Sequence, residues 1–130
     1  MPPHTLHHVA IATPSIAEAA PLFQLLTGET CSPVEEIPAQ GVRVAFIGTL
    51  ELIEPMDPEG GVARFLERRG PGLHHIAFQV PDIAAALAEA EAQGLRLIDR
   101  EARAGAGGHR VAFLHPGSTE GVLWELVEEG

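Results

Sequence analysis

Leu73-His74-His75-Ile76-Ala77 decides how this chain is read, because Leu6-His7-His8-Val9-Ala10 is the same stretch written 67 positions earlier. The offset holds as one reads outward. Pro14-Ser15-Ile16-Ala17 returns as Pro81-Asp82-Ile83-Ala84, and Gly41-Val42-Arg43-Val44-Ala45-Phe46 returns as Gly108-His109-Arg110-Val111-Ala112-Phe113. The register then slips: Glu51-Leu52-Ile53-Glu54 matches Glu125-Leu126-Val127-Glu128 at an offset of 74, which places seven extra residues in the second copy, expected in the His115 to Gly121 loop. Two long copies do not make a solenoid, in which several short units stack to bury a core. They describe a duplicated module, pseudo-twofold within a single domain, and 130 residues suffice to bury a real core.

Within each copy the pattern of apolar residues predicts one order of elements. Leu6 to Ala12 alternates like a strand, with His7, Val9 and Ile11 on one face and Leu6, His8, Ala10 and Ala12 on the other. In the second copy Ile76, Phe78 and Val80 make a bulky face suited to lie beneath a helix, which leaves His75, Ala77 and Gln79 on an open face of small and polar groups. A helix follows each strand, from about Ser15 to Leu26 with Gly28 as terminator, and from Ile83 to Gln93 with Asp82 as N-cap and Gly94 as stop. Pro21 predicts a kink or a split in the first helix. Strands are expected over Cys31 to Ile37, Val42 to Ile47 and Leu50 to Glu54, then over Arg96 to Glu101, His109 to Leu114 and Val122 to Glu128. The fold class is therefore α+β, two tandem βαβββ modules. Module one spans about 5–55, a linker with a short helix around Val62 to Arg69 spans 56–71, and module two spans 72–129. Gly105-Ala106-Gly107-Gly108 precedes a strand and not a helix, so it is no dinucleotide fingerprint; a flexible hairpin or substrate-covering loop is expected.

Composition removes several function classes. A net charge of −10 argues against nucleic acid and against an anionic membrane surface. No apolar stretch approaches the roughly 20 residues needed to cross a bilayer, and Met1-Pro2-Pro3-His4 lacks the regions of a signal peptide, so a cytoplasmic protein is expected. The single cysteine, Cys31, allows no internal disulfide and reads as a small buried hydrophobe. All eight basic residues are arginine, and there is no lysine or tyrosine. Histidine and carboxylate are left to carry acid/base chemistry.

The polar face of each copy's first strand and the last strand of each copy supply four candidate metal ligands: His8, Glu51, His75 and Glu125. Equivalent positions of two pseudosymmetric modules converge near the axis that relates them. Two imidazoles and two carboxylates suit one divalent ion and leave two octahedral positions for substrate oxygens. His7 and His74 face the other way and read as packing or supporting residues, while Glu54 and Glu128 read as solvated. His115, before Pro116 at the mouth of the insertion, is a weaker candidate for substrate contact.

With these residues in place the chain resembles the vicinal oxygen chelate (glyoxalase) superfamily, whose members pair βαβββ modules into a cupped mixed sheet around a metal. Within it, the resemblance is to the methylmalonyl-CoA epimerase family, carried by Gln40-Gly41-Val42, Glu51-Leu52-Ile53-Glu54-Pro55, Ala63-Arg64-Phe65-Leu66-Glu67, Gly72-Leu73-His74-His75-Ile76-Ala77-Phe78, Gly105-Ala106-Gly107-Gly108, Val111-Ala112-Phe113-Leu114-His115-Pro116 and Gly121-Val122-Leu123-Trp124-Glu125-Leu126. The resemblance implies a divalent metal at His8, Glu51, His75 and Glu125, cobalt first, with manganese, nickel, zinc or magnesium as alternatives. It implies interconversion of (R)- and (S)-methylmalonyl-CoA through a metal-stabilised enolate, by proton removal at C2 and return to the opposite face. Glu125 matches one base of the family. The other, a glutamate in some members, falls on Val44, which leaves Glu51 or a water. Where many members have a lysine that could meet a CoA phosphate, this chain has Gly117, so Arg64 and Arg68, with Arg69, or else Arg103 and Arg110, would have to hold it. A homodimer is expected from the resemblance. Three readings compete. A glyoxalase I type lactoylglutathione lyase shares the ligand set and differs in substrate; a metal-free binding protein of the bleomycin-resistance type keeps the fold without the catalysis, against which the four intact ligand positions count. An extradiol dioxygenase needs a longer chain.

Overall fold

The computed structural model describes residues 3–130. The chain divides into two compact units, one formed by the residues up to His8 together with His75–Gly130 and the other by Val9–His74.

The Val9–His74 unit takes the C-terminal part of β1 (Thr5–Ala12), then α1 (Ile16–Thr27), β2 (Glu35–Ile37), β3 (Val42–Ile47), β4 (Leu50–Pro55) and α2 (Gly61–Arg69). β1 and β4 run parallel with Ala10 opposite Glu51; β4 and β3, then β3 and β2, pair antiparallel. Glu51, Leu52 and Ile53 are buried in succession, so β4 is covered on both faces. Leu52, Ala45, Ile47 and Ile16 form the core beneath α1, with Ile11, Ala19 and Phe23 packed against it. Each fully buried Leu or Ile there contributes about 1.5–3 kcal/mol over its exposed state. Strand alternation leaves Ala10, Glu51, Ile53 and Val44 on the other face.

The second unit repeats this plan with β5 (Gly72–Gln79), α3 (Ile83–Ala92), β6 (Arg103–Ala104), β7 (Arg110–Leu114) and β8 (Trp124–Glu128). β5 and β8 are parallel with Ala77 opposite Glu125, the counterpart of Ala10 opposite Glu51. Phe113 stands across from Glu125 as Phe46 does from Glu51. Val80, Ile83, Leu87, Ala112, Leu114 and Leu126 form the core under α3, and Phe78 stacks on Trp124 with ring centroids 4.8 Å apart. The loop between β7 and β8 has nine residues, 115–123, where the first copy turns with Gly48 and Thr49 alone, so the insertion lies where the slip in register places it.

Both helices start on the same device. Ser15 Oγ accepts the Glu18 N–H at 3.2 Å and Asp82 Oδ1 accepts the Ala85 N–H at 3.1 Å. Gly28, at φ 74°, closes α1 in the left-handed region that glycine adopts without steric cost.

Three expectations are corrected. The strand read over Arg96 to Glu101 is a single bridge, Leu97 to Leu114, and that read over Cys31 to Ile37 is a bridge, Cys31 to Ile47, followed by the short β2. The reason is the same in both copies. Asp99 Oδ2 accepts the Phe113 N–H at 2.9 Å and Ser32 Oγ accepts the Phe46 N–H at 2.8 Å, so a side chain takes the donor that a neighbouring strand's carbonyl would take. α1 is not split at Pro21. Ala17, whose carbonyl loses its helical partner there, is exposed, so water can reach that carbonyl. The glycine-rich run lies in the turn of the antiparallel β6–β7 hairpin, as expected, and its first residue is packed: Gly105 is buried, it precedes a 3₁₀ turn over Ala106–Gly108, and a Cβ on it would lie 2.6 Å from Val111 Cγ1.

Candidate metal centre

His8 on β1, His75 on β5 and Glu125 on β8 come together in the unit that holds all three. The Nε2 atoms of His8 and His75 lie 3.0 Å and 3.2 Å from the same oxygen, Glu125 Oε1. All three residues are 4% exposed. The face that the sequence presents as open is thus the most buried part of both strands, because the small residues beside the histidines, Ala10 and Ala77, are fully enclosed. His75 is fixed further by Phe113, whose ring stands edge-on at 5.3 Å. Burial pushes the Glu125 carboxyl up, yet the hydrogen bonds from His75 and His8 outweigh it and hold the group below the usual carboxylate range.

Two buried imidazole nitrogens converging on one ionised carboxylate oxygen form a donor set fit for a borderline divalent ion. Glu51 is buried too, 6% exposed, and its register opposite Ala10 is the one that Glu125 holds opposite Ala77.

The remaining candidates fall elsewhere. His115 caps the 3₁₀ turn Pro116–Ser118, its Nδ1 accepting the Gly117 N–H at 2.9 Å. Arg64 and Arg68 stand exposed on α2, while the Arg69 guanidinium lies over the Phe65 ring at 5.6 Å. Arg103 and Arg110 are engaged by Asp99 at 3.3 Å and Glu128 at 3.6 Å. Val44 is buried in the β2–β3–β4 ladder. His74 packs edge-on against Phe65 with ring centroids 5.0 Å apart, and His7 sets its ring edge-on to that of His8, also at 5.0 Å. Cys31 is half-buried against the core under α1.

Glu54 and Glu128, read from sequence as solvated, have structural work. Glu54 Oε1 accepts the N–H of Ile16, the first residue of α1, and Glu128 Oε1 accepts that of Ile83, the first residue of α3, both at 2.8 Å. The signal was present: Arg43 and Arg110 repeat at 67 and the two glutamates at 74. Glu129 sent no such signal, because its counterpart in the first copy is Pro55.

Residues 7–113 match the model of the Glyoxalase/Bleomycin resistance protein/Dioxygenase superfamily. Over 95% of its length the chain is 36% identical to human mitochondrial methylmalonyl-CoA epimerase and 37% identical to the ethylmalonyl-CoA/methylmalonyl-CoA epimerase of Cereibacter sphaeroides, covering 73% and 96% of those proteins. Among solved structures, a variant of Streptomyces coelicolor methylmalonyl-CoA epimerase in complex with 2-nitronate-propionyl-CoA superposes with a TM-score of 0.93 at 32% identity, covering 98% of this chain and 96% of that one. The α+β fold read from the repeat is the fold of that enzyme. The chain belongs to the Glyoxalase/Bleomycin resistance protein/Dioxygenase superfamily.

Proposed function

We propose that this protein is a metal-dependent methylmalonyl-CoA epimerase, with a divalent ion held by His8, His75 and Glu125 and by Glu51 as fourth ligand. The observation that carries the reading is the buried pair of histidine nitrogens converging on Glu125 Oε1, in a chain similar over nearly its whole length to epimerases. The case for Glu51 rests on the repeat, on its burial and on its register opposite Ala10. Bound there, a divalent cation supplies Lewis acidity to the substrate's oxygens as charge develops on them. Cobalt is our first choice, with manganese, nickel, zinc and magnesium behind it.

Epimerisation needs a proton taken from C2 on one side and another returned on the opposite side. Glu125, held ionised by its histidine partners, is the group we assign to one side. Val44 has nothing to exchange, and we assign the other side to Glu51. Arg64 and Arg68, exposed and without an ion-pair partner among the described residues, are proposed to meet the phosphates of CoA. His115 is proposed to touch the substrate at the insertion loop.

Metal-loaded protein incubated with methylmalonyl-CoA in deuterated water is expected to gain label at C2. No exchange with any of cobalt, manganese or nickel overturns the reading, and turnover of a glutathione hemithioacetal in a parallel assay would assign the glyoxalase I reaction instead. Among the described residues no helix is long and apolar enough to cross a membrane. We place the protein in the cytoplasm on the strength of its one cysteine, and we propose a homodimer; Leu25 and Leu26 on α1, 80% and 69% exposed, offer apolar surface for it, and light scattering tests the assembly.

A further inference from the structure

His8 turns Nε2 toward Glu125, and its other ring nitrogen, Nδ1, lies 2.7 Å from His7 Nδ1. His7 Nε2 in turn lies 3.1 Å from Glu129 Oε2. The second oxygen of that carboxylate, Oε1, accepts the Gln79 side-chain amide at 3.1 Å, which holds Glu129 in place.

The hydrogens along this line follow from what each group can do. An ionised carboxylate only accepts, so His7 carries its hydrogen on Nε2 and donates it to Glu129. His7 Nδ1 is then a lone pair, and the short contact with His8 is a hydrogen bond only if His8 carries its hydrogen on Nδ1. A neutral imidazole with hydrogen on Nδ1 has its lone pair on Nε2; with a divalent ion seated between His8 and Glu125 that lone pair meets the ion, in place of the hydrogen that Nε2 directs at Glu125 Oε1, 3.0 Å away, in the metal-free site. We infer that Glu129, Gln79 and His7 form a positioning chain that locks His8 in its Nε2-ligating tautomer and so tightens metal binding. The inference rests on the metal reading above.

The repeat shows that the chain is not part of the shared plan of the two modules. The counterparts of Gln79, His109 and Glu129 are Ala12, Val42 and Pro55, and the counterpart of His7 is His74, whose ring packs on Phe65 at 5.0 Å. A polar cluster has been added beside one ligand, His8. His109 borders it, its ring edge-on to His7 at 5.7 Å.

His7, His109 and Glu129 also place donor atoms within 4.8 Å of one another, so a second cation there is the rival occupant. The hydrogens oppose it while His8 is a ligand. A cation on His7 Nε2 drives that ring's hydrogen to Nδ1, where it meets the hydrogen of His8 Nδ1 across 2.7 Å.

Zinc, being diamagnetic, permits the test by long-range proton–nitrogen NMR of the histidine rings. In the zinc-loaded protein His7 is expected as the Nε2–H tautomer and His8 as the Nδ1–H tautomer, with one zinc per chain. In titrations of the zinc-free protein, Glu129→Gln and His7→Phe are expected to weaken zinc binding about tenfold or more, and His74→Phe to leave it unchanged. His7→Asn, checked by its melting curve, serves if His7→Phe fails to fold. Unchanged zinc affinity in both Glu129→Gln and a folded His7 variant, His7 protonated on Nδ1, or a second zinc lost with His109→Ala each overturns the chain while leaving the metal reading intact. A wild-type protein that binds neither zinc nor cobalt overturns both.

Discussion

Glu54 Oε1 and the Ile16 N–H, 38 residues apart in sequence, are joined by a hydrogen bond of 2.8 Å that ties the end of β4 to the start of α1. The other oxygen of Glu54 lies 3.3 Å from Arg43 on the neighbouring strand β3, so one carboxylate binds a helix and two strands. Glu128 does the same for Ile83 and Arg110. Glu54→Ala and Glu128→Ala are each expected to cost about 1–2 kcal/mol, the value of a charge-assisted bond to a helix N-terminus. Urea denaturation monitored by circular dichroism checks this, and a loss below about 0.3 kcal/mol in both would show that solvent replaces the bond.

Gly105 yields a prediction about packing. A methyl group there meets Val111 Cγ1 at 2.6 Å and Cγ2 at 3.2 Å, and Val111 is itself buried in a small cluster with Ala77 and Val127. Gly105→Ala is expected to cost about 1–3 kcal/mol by overpacking. Shortening the neighbour as well, in Gly105→Ala/Val111→Ala, is expected to recover part of that loss in a double-mutant cycle. If the double variant is less stable than the sum of the two single losses, crowding at Val111 is not the cause.

The two glutamates proposed to move protons can be separated from their role as ligands. His8→Ala and His75→Ala are expected to abolish stoichiometric cobalt binding, read from its visible absorption. Glu51→Gln keeps an oxygen donor and is expected to retain cobalt, while deuterium exchange at C2 falls by about 100-fold or more through loss of a base. Cobalt retained with exchange unchanged would assign the second proton to water and not to Glu51.

Much of this was legible because the chain contains its own comparison. The repeat selected His8 over His7 and His75 over His74, and the structure brings His8 and His75 onto one Glu125 oxygen. What stayed hidden has a physical pattern. Ser32 and Asp99 end the reach of two expected strands by taking the Phe46 and Phe113 N–H groups, and periodicity does not register a side chain that substitutes for a ladder. The partners of Glu54 and Glu128 are backbone N–H groups, which carry no residue identity to read. The burial of His8 and His75 was missed because alanine neighbours suggest an open face, when small side chains are what let the surrounding structure close over one.

The substrate's charged end gives a prediction about binding alone. Arg64 and Arg68 lie on the exposed side of α2, and Gly117 offers no charge of its own. Arg64→Ala/Arg68→Ala is expected to raise KM for the CoA ester about fivefold or more, roughly 1 kcal/mol of lost attraction, with kcat nearly unchanged. The effect should shrink as ionic strength rises, since the contacts are solvent-exposed. A variant with wild-type KM at low salt would move the phosphate contacts elsewhere on the protein.

Pro21 is the position where local propensity and the fold disagree most. It is the sixth residue of α1, so the helix lacks the bond from residue 21 to the Ala17 carbonyl, and the proline ring crowds that carbonyl. The helix persists because Ile16 is buried in the core while Ala19 and Phe23 pack against it on one stripe, and because Pro21 lies on the exposed side, where its defect meets water. Packing outweighs an intrinsic penalty of about 3 kcal/mol relative to alanine. Pro21→Ala restores the donor and removes the clash, and is expected to raise stability by about 1–2 kcal/mol after the greater freedom of the unfolded chain is counted. A rise in the urea midpoint at constant m-value checks it; an unchanged or lower midpoint would mean that the fixed φ of Pro21 contributes more through the unfolded state than the missing hydrogen bond costs in the folded one.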